Sequence, residues 1–318
     1  MLFEKGVYAM SGKMNPVTEK LLSLISSYDG EFVGAYNIRQ DGMCAGRLSS
    51  ENISIESKTD NPGLDIRIAP GTKGETVYIP ACVTQNGFDD LVYNDFFVGE
   101  GADVVIEAGC GIHTEGEGGS SHNGIHRFFL SEGARVKYLE KHIGTGYGGG
   151  ERKIDPVTDA VLEKNAYLEM DTSQIGGVQL TRRKTTATVA EGARLVVHER
   201  LFTESRQRAE TFFKVELNGA GAGADIVSRS VARDMSYQNY VSTIVGNAQC
   251  TGHSECDAII DGDAIVDASP RLFARNKEAS LIHEAAIGKI AGDQILKLRT
   301  LGLTEEEAER MIIEGFLA

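Results

Sequence analysis

Two hydrophobic rhythms divide the chain. From Asn15 to Ser27 apolar residues recur near helical spacing behind an N-cap candidate, Asn15, with Pro16 at the first helical position; a short N-terminal helix is predicted. A period of two takes over in Asn52-Ile-Ser-Ile-Glu-Ser and Leu64-Asp-Ile-Arg-Ile-Ala, which read as strands. Helical spacing then nearly vanishes for about two hundred residues and returns only at the C-terminus. There, Gly292 to Gly302 ends on a Gly suited to a helix C-terminus. Leu303 to Phe316 opens with a capping box, Thr304 with Glu307, and an acidic first turn that complements the helix dipole; Met311, Ile312 and Phe316 supply an apolar face. Two helices closing a β chain suggest a cap or a docking unit that keeps sheet edges from pairing with other chains.

The strand region carries a repeat. Gly101-Ala-Asp-Val-Val-Ile-Glu, Gly133-Ala-Arg-Val-Lys-Tyr-Leu, Asn165-Ala-Tyr-Leu-Glu-Met, Gly192-Ala-Arg-Leu-Val-Val-His and Gly223-Ala-Asp-Ile-Val-Ser-Arg start at intervals of 32, 32, 27 and 31 residues, and Asn247-Ala248 extends the series. Each is a residue that tolerates positive φ, a small Ala, and an alternating strand. Such a period suits a coil whose successive strands stack in register, so the expected fold is mainly β, a parallel β-helix (β-solenoid). The alternative is a Gly-rich β-sandwich. The expected division is an N-terminal segment over 1–80, the β-helix over 81–275 and a helical region over 276–318.

Composition agrees with an ordered strand protein. The 318 residues include 37 Gly, about 12% where about 7% is usual, but only 6 Pro. This excludes collagen and disordered Gly/Pro tracts. A charge of −14 disfavours a nucleic-acid partner, and no apolar run is long enough to span a membrane. Met1 to Met14 lacks the apolar core of a signal peptide, and five scattered cysteines make no disulfide framework. The expectation is a cytoplasmic protein with reduced thiols.

Candidate chemistry is sparse. Cys250, His253 and Cys256 are spaced by three, which in a strand alternates faces and prevents them from meeting at one ion; a packed Cys as a small inert hydrophobe is the plainer reading. Glu255, Asp257 and the later His283-Glu284 raise the interest of Cys256. Cys110-Gly-Ile-His113, followed by His122 and His126, suits either a labile metal site or a solvated excursion in which His and Gly fill turns. Gly144-Thr-Gly-Tyr-Gly-Gly-Gly-Glu-Arg-Lys lacks the Lys-Ser/Thr of a phosphate loop, and Arg182-Arg183-Lys184 reads as a solvated edge. No Gly-x-Ser-x-Gly elbow or His-Glu-x-x-His pair occurs.

Three segments in order carry a resemblance: Cys256-Asp-Ala-Ile-Ile-Asp-Gly262, Glu278-Ala-Ser-Leu-Ile-His283-Glu-Ala-Ala-Ile-Gly-Lys-Ile, and Asp293 through Phe316. Together they resemble the C-terminal third of the SufB/SufD family, scaffold proteins of the Suf iron-sulfur cluster assembly machinery. The resemblance implies a right-handed parallel β-helix and a transient iron-sulfur cluster held by Cys256, Glu284 and His283; Cys110, His113, Cys250 and His253 remain further metal-ligand candidates on their residue types alone. It also implies four kinds of partner: a SufC-type ABC ATPase on the C-terminal helices, a second SufB/SufD-type chain, a cysteine desulfurase or other sulfur donor, and apo-protein acceptors. Glu284 after His283 makes the chain SufB-like, whereas Ile282 stands where family members carry another Glu. With its shorter N-terminus, that suggests a minimal member able to serve both halves of a dimer. No Walker A motif is present, so ATP hydrolysis falls to the partner. The competing readings are an adaptor for an ABC-type ATPase with no cluster, and a β-solenoid enzyme acting on polysaccharides.

Overall fold

In a computed structural model, residues 14–147 and 149–318 are described. The leader reading of Met1 to Met14 therefore lies almost wholly outside the described residues, as does Gly148 of the glycine loop. Helix α1 (Pro16–Ile25) begins where its cap predicts: the Asn15 side chain accepts from the Thr18 backbone N–H, at 2.7 Å. Short strands follow as β1 (Ala35–Gln40), β2 (Met43–Leu48), β3 (Ile53–Ser57), β4 (Gly63–Ile68), β5 (Lys73–Tyr78) and β6 (Ala81–Val83). The coil proper is β7 (Asp89–Val98), β8 (Asp103–His113), β9 (Ser120–Leu130), β10 (Arg135–Thr145), β11 (Arg152–Ile154), β12 (Val157–Leu162), β13 (Tyr167–Ile175), β14 (Leu180–Val189), β15 (Arg194–Thr203), β16 (Arg208–Leu217), β17 (Ala222–Ala232), β18 (Tyr237–Gly246) and β19 (Cys250–Ile260). It ends with β20 (Ile265–Ala274), β21 (Ser280–Gly288), α2 (Gly292–Thr300) and α3 (Glu305–Leu317).

Along the coil the chain passes alternately between two sheets, with β11 and β12 sharing one pass. One runs β2-β1-β5-β8-β10-β13-β15-β17-β19-β21 and the other β20-β18-β16-β14-β11-β9-β7-β4-β3. Their facing sides enclose the core of a β-solenoid of about eight turns. All pairs along the coil are parallel and in register; only β1/β2 and β3/β4 are antiparallel. The repeat marks the corners. Gly101, Gly133, Asn165 and Gly192 take φ of 62°, 66°, 57° and 65°, and the alanine after each is wholly buried. A residue free to turn left-handed and a side chain small enough for the corner are what each turn requires. The fifth corner differs from expectation. Arg194 pairs with Gly223, so Gly221-Ala222 is the true equivalent, with φ 73° at Gly221. Gly-Ala occurs three times in succession there, from Gly219 to Ala224, and the pattern alone could not choose the register.

At one end α1 lies across β8, burying Leu21, Leu22 and Ile25. Gly109 permits this approach, since a Cβ there would stand 2.2 Å from the Ile25 carbonyl oxygen. At the other end the capping box of α3 forms as predicted, with Thr304 and Glu307 bonded reciprocally. Helix α3 packs against β17, buries Ala308 and Leu317, and leaves Met311 half exposed. Neither helix covers the last strands. Ile265, Phe273, Ile282 and Ile287 on β20 and β21 remain 40–56% exposed.

Two sequence readings are corrected by the interior. Arg183 is not a solvated edge residue but is buried in β14, paired with Glu140 at 2.7 Å and Glu199 at 3.6 Å; it alternates with the solvent-facing Arg182 and Lys184. His122 and His126 are not turn filler. Both lie inside β9 and are buried, His122 against Asp90 and His126 against Tyr138.

Candidate functional site

The exposed end is where the sequence candidates gather. Strand β19 alternates strictly: Cys250, Gly252, Ser254, Cys256 and Ala258 face the core, while His253, Glu255 and Asp257 face outward. Its register with β21 sets Ser254 opposite His283, Glu255 opposite Glu284, and Cys256 opposite Ala285. Adjacent residues on a strand point to opposite faces, so His283 joins Cys256 on the inner side and Glu284 joins Glu255 on the outer. Within one chain the expected trio Cys256, Glu284 and His283 is thus divided between the two faces of the sheet.

On the inner face, the Cys256 thiol sits 1% exposed in the core. Burial, helped by the charges of Glu199 and Asp257, pushes it up to about 12. At neutral pH it is a thiol, with roughly one thiolate in 10⁵. It borders a small interior cavity lined by Glu199, Thr211, Ser228 and Tyr240. Glu199 accepts from the Thr211 and Ser228 hydroxyls at 3.0 and 2.7 Å, and burial raises its carboxyl above the usual range. His283 lies diagonally across from Cys256, on the order of 7–8 Å away between Cβ atoms. Its Nδ1 donates to the Ser254 carbonyl at 2.9 Å, which leaves Nε2 as a lone-pair donor. Fixing Nδ1 on a backbone carbonyl is how metal-binding imidazoles are oriented.

The outer face carries a second donor set. His253, Glu255 and Glu284 each offer a ligand atom, and these atoms lie within 4.8 Å of one another. His253 Nδ1 bonds Asp225 at 2.8 Å on the preceding rung, and its Nε2 turns toward Glu284, 3.8 Å away. Burial and the neighbouring Asp257 carboxylate raise the Glu255 carboxyl. Imidazole and carboxylate together suit divalent iron, and the carboxylate on the far ring nitrogen is the usual support for such a histidine. Sequence reading gave Glu255 no role of its own and passed over Asp225. The signal was present in the alternation, since residues 253, 255 and 257 share a face in any strand.

The remaining candidates lie elsewhere. Cys250 faces the core six residues from Cys256, about 20 Å along the strand. Cys110 is buried on β8, five strand spacings away in the sheet order, about 24 Å. His113 holds Thr145 at 2.9 Å and Glu115 at 3.2 Å near the glycine loop. No disulfide forms among the described residues.

Residues 93–316 match the SufBD core domain of the SUF system for FeS cluster assembly. The chain belongs to the SufBD family. It is similar to an iron-sulfur cluster assembly SufBD family protein of Methanothermobacter thermautotrophicus, 29% identical over 278 residues, which cover 83% of this chain and 64% of that relative. A SufBD family protein of Archaeoglobus fulgidus is 28% identical over 81% of this chain and 69% of its own length. One from Pyrococcus horikoshii is 34% identical over 62% of this chain and 60% of its own. The chain thus spans just under two thirds of the Methanothermobacter relative. The described residues contain no helix long and apolar enough to cross a membrane.

Proposed function

We propose that this SufBD chain is a cytoplasmic, non-catalytic scaffold on which an iron-sulfur cluster is built transiently at the open end of the solenoid and passed to apo-proteins. The cluster is cargo, not a resident group. The observation that carries the reading is the meeting of two donor sets across the last two rungs of this sheet, β19 and β21: Cys256 and His283 on the inner face, His253, Glu255 and Glu284 on the outer. Thiolate suits iron in clusters and sulfide transfer, whereas carboxylate and imidazole suit an incoming ferrous ion and release it readily. One chain offers a single thiol here, short of a cluster's needs. A second SufB/SufD-type chain, paired along the exposed β20 and β21 strands, supplies the missing ligands and brings both faces of each edge within reach of one cluster.

Cys256 must be uncovered and deprotonated before it can bind. Work from an ATPase is a fitting source of that opening. Helix α2 has no buried residue and exposes Leu296, and Leu301 and Met311 are exposed beside it. This surface suits docking of a SufC-type ABC ATPase, with sulfur delivered by a cysteine desulfurase or an equivalent donor. Anaerobic reconstitution with iron and sulfide, followed by visible absorption, tests the site. Cys256→Ala and Glu284→Ala are each expected to lower cluster content severalfold; wild-type yields in both variants would refute the assignment. A wild-type chain that takes up no cluster even with its ATPase would favour the adaptor reading. Deleting residues 291–318 is expected to abolish ATPase capture while the solenoid stays folded.

A further inference from the structure

At the opposite end of the molecule from Cys256, a cavity of about 300 Å³ opens between the β1/β2 hairpin, β4 and the inner faces of β7 to β9. That volume is at the lower end of the range for small-molecule sites. Its wall is unlike the rest of this acidic chain. Arg39, Arg47 and Lys58 all line it, and among the described residues no Asp or Glu does.

The three cations are not equivalent. Arg39 holds Asp90 through two bonds of 2.8 and 2.6 Å, and Lys58 sits between Asp65 and Asp95 at 2.5 and 2.8 Å. Arg47 has only neutral partners, the Asn37 side-chain oxygen at 2.8 Å and the Ser57 hydroxyl at 3.0 Å. Its charge is uncompensated by any carboxylate in the described residues, in a half-buried position where a planar guanidinium is well suited to a carboxylate.

Deeper in, two buried side chains each leave one polar atom without a partner. His122 is 2% exposed and gives its Nδ1 to Asp90 at 3.0 Å, while its Nε2 has no partner. Arg39 and His122 overcome the effect of burial and hold Asp90 well below the usual carboxylate range, so it is the acceptor and His122 Nδ1 carries the proton. Asn94 is 5% exposed and bonds His126 Nε2 at 3.3 Å. The Nδ1 of His126 lies 2.7 Å from the Tyr138 hydroxyl, which itself donates to Glu140 at 2.9 Å. That relay makes Asn94 the N–H donor and leaves its Oδ1 without a partner. Buried acceptors of this kind are normally satisfied, and leaving them bare is costly.

We infer that this cavity binds a small organic acid that also carries an O–H or N–H donor, of the α-hydroxy or α-amino acid class. The carboxylate meets Arg47, with Arg39 and Lys58 adding positive field, and the donor group reaches Asn94 Oδ1 beside His122 Nε2. Binding is non-covalent: Cys110 also lines the cavity, but burial holds its thiol well above its ordinary value and keeps it protonated. The near wall of the site, at Cys110, lies about 24 Å from Cys256, and the site stands whether or not a cluster is built there.

Calorimetric and saturation-transfer NMR titrations of the full chain with glycolate, L-malate and L-serine test this, with propionate as the acid lacking a donor and 1,2-propanediol as the neutral match. At least one of the first three is expected to bind more tightly than both controls. Arg47→Gln is expected to weaken that binding about 10- to 100-fold with the circular dichroism unchanged. Arg47→Lys, which keeps the charge but loses the fork, is expected to fall between. Cys256→Ala is expected to bind as wild type. No binding of any acid at millimolar concentration, leaving a water-filled cavity only, would overturn the inference. So would equal binding of propionate, or undiminished binding by folded Arg47→Gln.

Discussion

The two ends of the solenoid are finished in opposite ways. At the first, β1/β2 and β3/β4 turn back as antiparallel pairs that terminate both parallel sheets, and α1 lies across β8. At the last, β20 and β21 each lack an outer neighbour and present half-exposed Ile265, Phe273, Ile282 and Ile287. An unpaired, apolar strand edge is a liability that proteins ordinarily blunt with charge, proline or a covering element. This chain ends the first in the short edge strands β2 and β3, and the other in the longer β20 and β21, whose exposed apolar side chains alternate with Asp267, Pro270 and Glu284 beside its thiol and carboxylates. On the proposed reading, the contrast separates residues that hold the coil together from residues that meet a second chain, and substitutions at each end should behave accordingly.

The largest expected effect is in neither end but in the column of buried charge between them. Arg183→Met leaves Glu140 buried and uncompensated, and a loss of about 3–5 kcal/mol is expected in urea denaturation. A loss below about 1 kcal/mol would mean that water already reaches the column. The next effect is in pH. Burial lowers His126 from 6.5 to about 4 and lowers His142 as well. The unfolded chain therefore binds more protons than the folded one between those values. The stability that neutral His126 contributes is complete above about pH 6.5 and lost as pH falls toward 4, on the order of 3 kcal/mol. His126→Gln is expected to flatten that slope, as read from melting temperature against pH.

Smaller effects distinguish the two ends directly. Gly109→Ala drives a Cβ into the Ile25 carbonyl and is expected to cost about 1–3 kcal/mol, with faster proteolysis of α1. Ile282→Lys alters a side chain 53% exposed, so chain stability is expected to stay within about 0.5 kcal/mol. What it is expected to lose is self-association, or pairing with a SufD-like chain, in sedimentation velocity. A dimer undiminished by this substitution would place the interface elsewhere.

Much of this architecture was legible in the chain. The Gly/Asn-Ala corners, the cap at Asn15 and the box at Thr304 are local rules, and local rules survive folding. Four things were not legible. The tripled Gly-Ala at 219–224 allows three registers, and only pairing with β15 selects one. Arg183 looked solvated because its burial depends on Glu140 and Glu199, which come from other rungs. Alternation could have divided His283 from Glu284, but it could not place Glu284 beside His253, since that contact depends on the β19/β21 register. The cavity around Arg47 draws on segments from β1 to β9, and no spacing in the sequence announces it.

The central claim is that the open end becomes a cluster site only when a second chain completes it. Iron and sulfide content per chain after anaerobic reconstitution, measured in parallel on wild type and on Ile282→Lys shown to be folded and monomeric, tests it most directly. The account predicts a cluster in the wild-type assembly and little beyond loosely held iron in the monomer. A monomeric Ile282→Lys chain that holds the same cluster, with the same visible and Mössbauer spectra, would contradict it.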